Sequence, residues 1–170
     1  MRVRTAVSAD LPGILAIYNE VIATSTAVYA LSPSTLAERA AWLEGRKGQG
    51  YPVLVAAADE EVLGFSSFGD WRAWPGYRFT VEHSVYVAAE RQGCGIGRRL
   101  VEALFPIAAE LGKHVMLGGI DAANAASIAF HRRLGFAEVA RFEEVGRKFG
   151  RWLDLVFMQR FLDAPGASRP

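Results

Sequence analysis

The chain has 170 residues, of which 51% are hydrophobic, and its 19 Lys and Arg against 18 Asp and Glu give a formal net charge of +1. That composition supplies one packed core and excludes general disorder, and the charge balance lacks the basic excess of a nucleic-acid binder. Cys94 is the only cysteine, so no intrachain disulfide forms and the fold does not need an oxidising compartment.

In chain order, Val3, Thr5 and Val7 alternate with Arg4 and Ala6 as a short first strand. The opening residues lack the apolar core of a signal peptide. Ser8 and Asp10 are candidate caps for a helix that carries Leu11, Ile14, Leu15, Tyr18, Val21 and Ile22 on one face, with Pro12 in its first turn. Residues 34–44 read as a second helix, closed by a loop over 45–50. Two β-rich runs, 52–58 and 62–69, flank the charged turn Asp59-Glu60-Glu61 and predict a hairpin. A tryptophan-rich loop over 70–77 turns at Pro75-Gly76.

The next strand spans 78–87. A Gly-rich segment, 93–97, then opens a helix that runs to about Leu111, with Gly112 as its stop and an expected irregularity at Pro106. Residues 115–120 read as a strand, 124–134 as a helix stopped by Gly135, and 137–144 and 152–161 as two last strands around 146–150. The tail from Asp163 is expected to be disordered. No apolar run reaches the ~18 residues of a membrane span. One domain over residues 1–162, in the cytoplasm, is the expectation.

The most informative stretch is Val85-Tyr86-Val87 followed by Gln92-Gly93-Cys94-Gly95-Ile96-Gly97. Strand, Gly-rich turn and helix come in that order. Such a turn presents backbone N–H groups at a helix N-terminus, where the helix dipole also favours an anion. Glycine lets the backbone approach a phosphate closely, and Arg98 and Arg99 add positive charge, so the segment fits a pyrophosphate. The glycines can also simply make a turn. A Walker loop would need Lys and then Ser or Thr after Gly97, where Arg98-Arg99 stands. A dinucleotide fingerprint would need Gly or Ala where Arg98 stands.

Gln92, Gly95 and Gly97 match the Gln/Arg-x-x-Gly-x-Gly/Ala signature of the GNAT superfamily of N-acetyltransferases. Asn124, Ala126, Phe130, Leu134, Gly135 and Phe136 match its second hallmark, an Asn-led helix that ends before Gly-Phe. The chain resembles that family from Arg2 to about Leu162. The resemblance implies an α/β fold with a mixed central sheet flanked by helices, and acetyl-CoA as co-substrate with no metal. It implies that Val85, Tyr86 and Val87 lie along the pantetheine arm, with backbone bonds from Val85 and Val87. Gly93, Cys94, Gly95, Ile96, Gly97 and Arg98 would cradle the pyrophosphate. Asn124 would approach the thioester end; an N-cap role is equally open to it.

Thr80-Val81-Glu82-His83-Ser84-Val85-Tyr86-Val87, Asn19-Glu20-Val21-Ile22 and Gly146-Arg147-Lys148-Phe149-Gly150-Arg151-Trp152 are similar to the phosphinothricin and methionine sulfoximine acetyltransferases within that family. His131 stands where many relatives carry a tyrosine as candidate acid. Amine attack on a thioester needs a neutral amine, and Glu82 is the candidate base, directly or through water. The backbone N–H of Val85 is the candidate donor to the oxyanion. The departing thiolate would take its proton from His131, Tyr86 or water. Arg72 and Arg78 suit an acceptor carboxylate, Trp71 and Trp74 could wall the pocket, and Arg72, Ala73, Trp74, Glu82, His83 and Ser84 would line it. Each of these also has an ordinary reading, as a surface charge or a packed ring. The expected acceptor is methionine sulfoximine, methionine sulfone or phosphinothricin, and the expected assembly a homodimer. A protein or peptide N-acetyltransferase is the enzymatic alternative. A non-catalytic CoA-binding module is the other, and an acidic residue at position 82 speaks against it.

Overall fold

A computed structural model describes residues 1–162 of the chain; the tail from Asp163, expected to be disordered, lies outside the described residues. Strands β1 (Arg2–Thr5), β2 (Val53–Ala58), β3 (Glu61–Asp70), β4 (Thr80–Val87), β5 (Val115–Asp121), β6 (Ala137–Lys148) and β7 (Arg151–Phe161) form one sheet in the order β1-β2-β3-β4-β5-β7-β6. All neighbours are antiparallel except β4 and β5. This is the mixed sheet that the family resemblance implies.

The helices are α1 (Leu11–Thr24), α2 (Leu36–Gly48), α3 (Ile96–Glu110) and α4 (Ala125–Arg133). Leu11, Ile14 and Ile17 of α1 and Leu43 of α2 pack with Val53, Val55 and Phe65 on one face of the sheet. Ile96, Leu100 and Leu104 of α3 and Ile128 of α4 pack with Leu54, Phe68, Val81, Met116 and Val156 on the other. The period of two along each strand sorts side chains between these cores. On β4, Val81 and Val85 belong to the α3–α4 core and Tyr86 to the α1–α2 core.

Local chemistry explains where elements begin and end, and where the sequence misled. The Asp10 carboxylate does not cap α1. It accepts from the backbone N–H of Val7 at 2.8 Å and pairs with Arg4 at 2.6 and 2.7 Å, which ties β1 to a 3-10 turn at Ser8–Asp10. α2 starts with a capping box: the Thr35 hydroxyl accepts from Glu38 N–H, and the Glu38 carboxylate accepts from Thr35 N–H. It continues through Gly45 and Gly48, where a loop was expected, because neither glycine takes a positive φ. α3 passes through Pro106 as one helix and stops at Gly112, whose φ is +70°.

The last hairpin also departs from expectation. Residues 146–148 belong to β6, and only Phe149 and Gly150 remain in the turn. Gly146 serves contact rather than turning: a Cβ there would stand 2.3 Å from the Tyr29 ring. Beside it Lys148, buried, donates to the carbonyls of Ser25 and Val28 at 2.8 and 2.7 Å. These contacts fasten the segment after α1 to the hairpin.

Candidate active site

β4 and β5 pair through only three residues, Thr80↔Val115, Val81↔Met116 and Glu82↔Leu117. Beyond Glu82 they part, while His83 to Val87 stay bonded to β3 on the other side. The parting frees one edge of β4 in the middle of the sheet, where unpaired N–H and C=O groups are available to a ligand. A cleft of about 550 Å³ opens there, lined by Val85, Val87, residues at the start of α3, and Asn124, Ser127 and Phe130 at α4.

The α3 end of this cleft is built for an anion. Gly93 and Gly95 have φ of +76° and +77°, and a Cβ on either would meet nothing within 4 Å. The glycines therefore serve the backbone path and its closeness to whatever lies above. The first helical N–H to bond is Arg99's, to the Gly95 carbonyl, so the N–H groups at residues 96–98 open toward the cleft at the positive end of a 15-residue helix. Arg91 and Arg133 add positive charge to the lining. An extended, polyanionic acyl carrier such as acetyl-CoA fits this set of groups.

Of the expected cofactor residues, Val85, Val87, Gly93, Gly95, Ile96, Gly97, Arg98 and Asn124 line the cleft. Cys94 is exposed beside it, with its thiol near the Gln92 carbonyl. The Tyr86 ring lies on the opposite face, edge-on to Tyr18 at 5.6 Å and tilted against Phe65 at 5.1 Å, where burial raises its pKa. Asn124 is the N-cap of α4, its Oδ1 accepting from Ser127 N–H at 2.9 Å, and it lines the cleft as well. Arg91, Ser127 and Arg133 were not singled out from the sequence; Arg91 directly precedes the Gln-Gly motif, and that adjacency was the available signal.

Glu82 occupies the last paired position before the strands part, and its side chain points to the face opposite the α3–α4 core. Its Oε1 would lie 3.0 Å from a Cβ at Gly119 of β5, with Leu155 and Phe157 of β7 beside it. Glu82 is half-buried, and no hydrogen bond or ion pair to its carboxylate occurs among the described residues. Burial raises its pKa above the ordinary glutamate value. A partly desolvated carboxylate with free lone pairs, at the edge where β4 and β5 part, is equipped to receive a proton or hold an ammonium.

His83 was expected beside the acceptor. It points to the other face instead, because it is one residue along a strand from Glu82. It is fully enclosed, its ring 5.1 Å from that of His131 and 5.3 Å from Phe136. Neither of its ring nitrogens has a hydrogen-bond partner among the described residues, and burial, with the neighbouring His131, pushes its pKa down to about 3. His131 lies on the buried side of α4. Its Nδ1 is 2.7 Å from the Ser127 carbonyl, an acceptor only, so Nδ1 carries the proton and Nε2 the lone pair. Burial lowers its pKa below the usual histidine value, and the Ser127 carbonyl partly opposes that shift.

On the Glu82 face, Trp71, Arg72, Tyr77, Thr80, Leu117, Phe142 and Phe157 surround a second, largely apolar hollow. The Arg72 guanidinium sits over the Trp71 ring at 4.7 Å, and Trp71 meets Tyr77 and Phe157 edge-on. Arg78 is not in this lining; it stacks over Phe79 and donates to the Pro75 carbonyl. Ala73 and Trp74 are exposed, Trp74 at 75%. Ser84 shares the face of Glu82 by strand alternation.

A model of the acetyltransferase (GNAT) family matches residues 14–136. The chain is 53% identical to an L-methionine sulfoximine/L-methionine sulfone acetyltransferase of Pseudomonas paraeruginosa, over 99% of this chain and 98% of that protein. It superposes on a GNAT superfamily phosphinothricin acetyltransferase from Sinorhizobium meliloti, solved in complex with acetyl-CoA, with a TM-score of 0.93 and 39% identity over 99% and 92% of the two chains. It superposes equally on a ribosomal-protein-alanine N-acetyltransferase from Brucella melitensis, TM-score 0.93 and 46% identity over 95% and 99%.

The Glu82 environment has a consequence for stability. A carboxyl whose pKa is raised by folding stabilises the fold in its neutral form, and that contribution is lost as pH rises through the raised value. Glu82→Gln should therefore melt at a higher temperature than the parent at pH 8. The gap should close at pH below about 4, under the unfolded glutamate pKa. Equal melting temperatures across the range would show that the carboxylate is not desolvated.

Proposed function

The chain belongs to the GNAT acetyltransferase family, and we propose that it transfers the acetyl group of acetyl-CoA to the primary amine of a small amino acid analogue: methionine sulfoximine, methionine sulfone or phosphinothricin. The observation that carries this reading is the unpartnered, half-buried Glu82 carboxylate at the last position where β4 pairs with β5, beside the parted edge of β4. Support for the acceptor class comes from the relative named for methionine sulfoximine and methionine sulfone and from the one named for phosphinothricin. Such compounds carry a tetrahedral sulfur or phosphorus that mimics a glutamine synthetase intermediate, so their acetylation would detoxify them.

Acetyl-CoA supplies the electrophilic thioester carbonyl. In the proposed mechanism Val85 and Val87 hold the pantetheine through backbone groups on the parted edge of β4, and residues 93–98 hold the pyrophosphate. Glu82 takes the proton of the attacking amine directly or through a water, as the C–N bond forms and the C–S bond breaks. The Val85 N–H donates to the thioester oxygen. His131, neutral with its lone pair on Nε2, accepts a proton more readily than it gives one at neutral pH. The Tyr86 hydroxyl shares the Glu82 face, where burial raises its pKa and makes it a poorer proton donor, which leaves water as the favoured proton source for the CoA thiolate. Arg72, held over Trp71, is the favoured partner of the acceptor carboxylate.

The protein is further proposed to be a cytoplasmic homodimer. β6 is an edge strand whose Val139, Phe142 and Val145 are exposed, with Trp152 of β7 beside them, and a second copy would cover that apolar strip. A protein N-acetyltransferase is the second reading, favoured by the Brucella relative's name.

An acceptor panel separates the two readings. Methionine sulfone and methionine sulfoximine should release CoA efficiently, while an alanine-initiated peptide should be poor, and Arg72→Ala should raise the free amino acid KM by roughly tenfold or more. Preference for the peptide would reverse the assignment. For the base, Glu82→Gln should lower kcat by about 10²–10⁴-fold with acetyl-CoA affinity unchanged, and the deficit should narrow as pH rises and more amine arrives neutral. A kcat near that of the parent at neutral pH would remove Glu82 from the role.

A further inference from the structure

β5 carries two consecutive glycines, Gly118 and Gly119, in the interior of a central strand. Glycine weakens a strand there, because it costs more backbone entropy and packs no side chain. Gly118 has a structural reason: a Cβ would stand 3.1 Å from His83 Nε2 and 3.3 Å from His131 Nε2 on the α3–α4 face. Gly119 faces the other way, and its crowding is as tight but of another kind. Its nearest neighbours to a Cβ would be Glu82 Oε1 at 3.0 Å, the free end of a flexible side chain, then Leu155 and Phe157 at an ordinary 3.6 Å. An alanine would require the Glu82 carboxylate to give by a few tenths of an ångström, while Leu155 and Phe157 could stay in place, so the fixed packing of the sheet does not by itself require glycine.

The exposure pattern points to what does. Gly118 and Ile120 on either side are buried, yet Gly119 is exposed in the middle of the sheet. It lies two residues past Leu117, the last β5 residue paired with β4, so it borders the gap where the two strands part, next to Glu82. An open patch of backbone, touching the carboxylate and the gap at once, is a place where an acceptor's amine-bearing carbon would fit with its nitrogen toward Glu82.

We propose that Gly119 is a specificity-determining residue: its bare backbone is the floor on which the amine-bearing carbon of the acceptor lies, and the absent side chain is what admits an α-substituted amine beside Glu82. This rests on the acetyl-transfer reading above. An unbranched amine needs less of that space than an α-amino acid, whose amine-bearing carbon also carries a carboxylate and a side chain.

The test compares methionine sulfone with 3-(methylsulfonyl)propylamine, the same amine without the α-carboxylate, on the parent protein and on Gly119→Ala. An added methyl in a fitted pocket is worth ~10–200-fold in discrimination. Gly119→Ala should therefore lower the kcat/KM ratio of the branched to the unbranched acceptor by tenfold or more. Acetyl-CoA affinity by calorimetry should be unchanged. A loss that acts only by displacing the Glu82 carboxylate would reduce both acceptors alike and leave the ratio fixed, and that result overturns the proposal. So does a variant that treats both acceptors as the parent does. If the parent itself acetylates neither amine, the acetyl-transfer reading fails and this inference falls with it, an outcome distinct from a parent that works and a ratio that does not move. Repeating the ratio in a Glu82→Gln background should preserve the effect, because the floor is steric; its disappearance there would also count against the proposal.

Discussion

The site depends on one break in hydrogen bonding. β4 and β5 run parallel and are held together only from Thr80 to Glu82 and from Val115 to Leu117. Elsewhere each strand of the sheet finds a partner along most of its length. A central strand with one bare edge would ordinarily be costly, because backbone donors and acceptors away from water need partners. In the proposed function the bare edge is the binding surface, and it opens onto the N-terminal end of α3, where further N–H groups are free. Backbone chemistry thus provides both ends of the cleft, and side chains are left to shape and charge it.

Burial then sets the protonation of what surrounds the gap. Glu82 on one face and His83 and His131 on the other are all shifted toward their neutral forms, and desolvation is the leading cause in each case. The faces differ in access. The histidines sit in the α3–α4 core and touch each other and Phe136. Glu82 looks out over Gly119, where no side chain covers it. One residue of register along β4 separates a group enclosed by the core from one half-buried over an open stretch of backbone.

Much of this was legible in the sequence because it rests on local chemistry. The turn around Gly93 and Gly95 demands positive φ and marks itself by composition. Asn124 and Gly135 bracket α4 in the ordinary way for a cap and a stop, and the Thr35 box sets the start of α2. What could not be read depends on distant partners. Gly146 looks like a turn residue, yet it sits in a strand because Tyr29 packs on it. Asp10 looks like a helix cap, but Arg4 and Val7 claim its carboxylate. His83 and Glu82 are neighbours in sequence, and only the register of β4 in the sheet decides which is enclosed by the α3–α4 core and which faces Gly119. Gly119 carries no local signal at all, since its meaning comes from being next to a strand that has turned away.

The central claim, that the parted edge of β4 and the start of α3 together hold the acyl carrier, is tested most directly by amide hydrogen exchange with and without CoA. The account predicts slowed exchange at residues 85–87 and 93–98, with the backbone around Trp71, Arg72 and Phe142 unchanged. Protection confined to that second hollow, with exchange at residues 85–87 and 93–98 unaltered by saturating CoA, would contradict it.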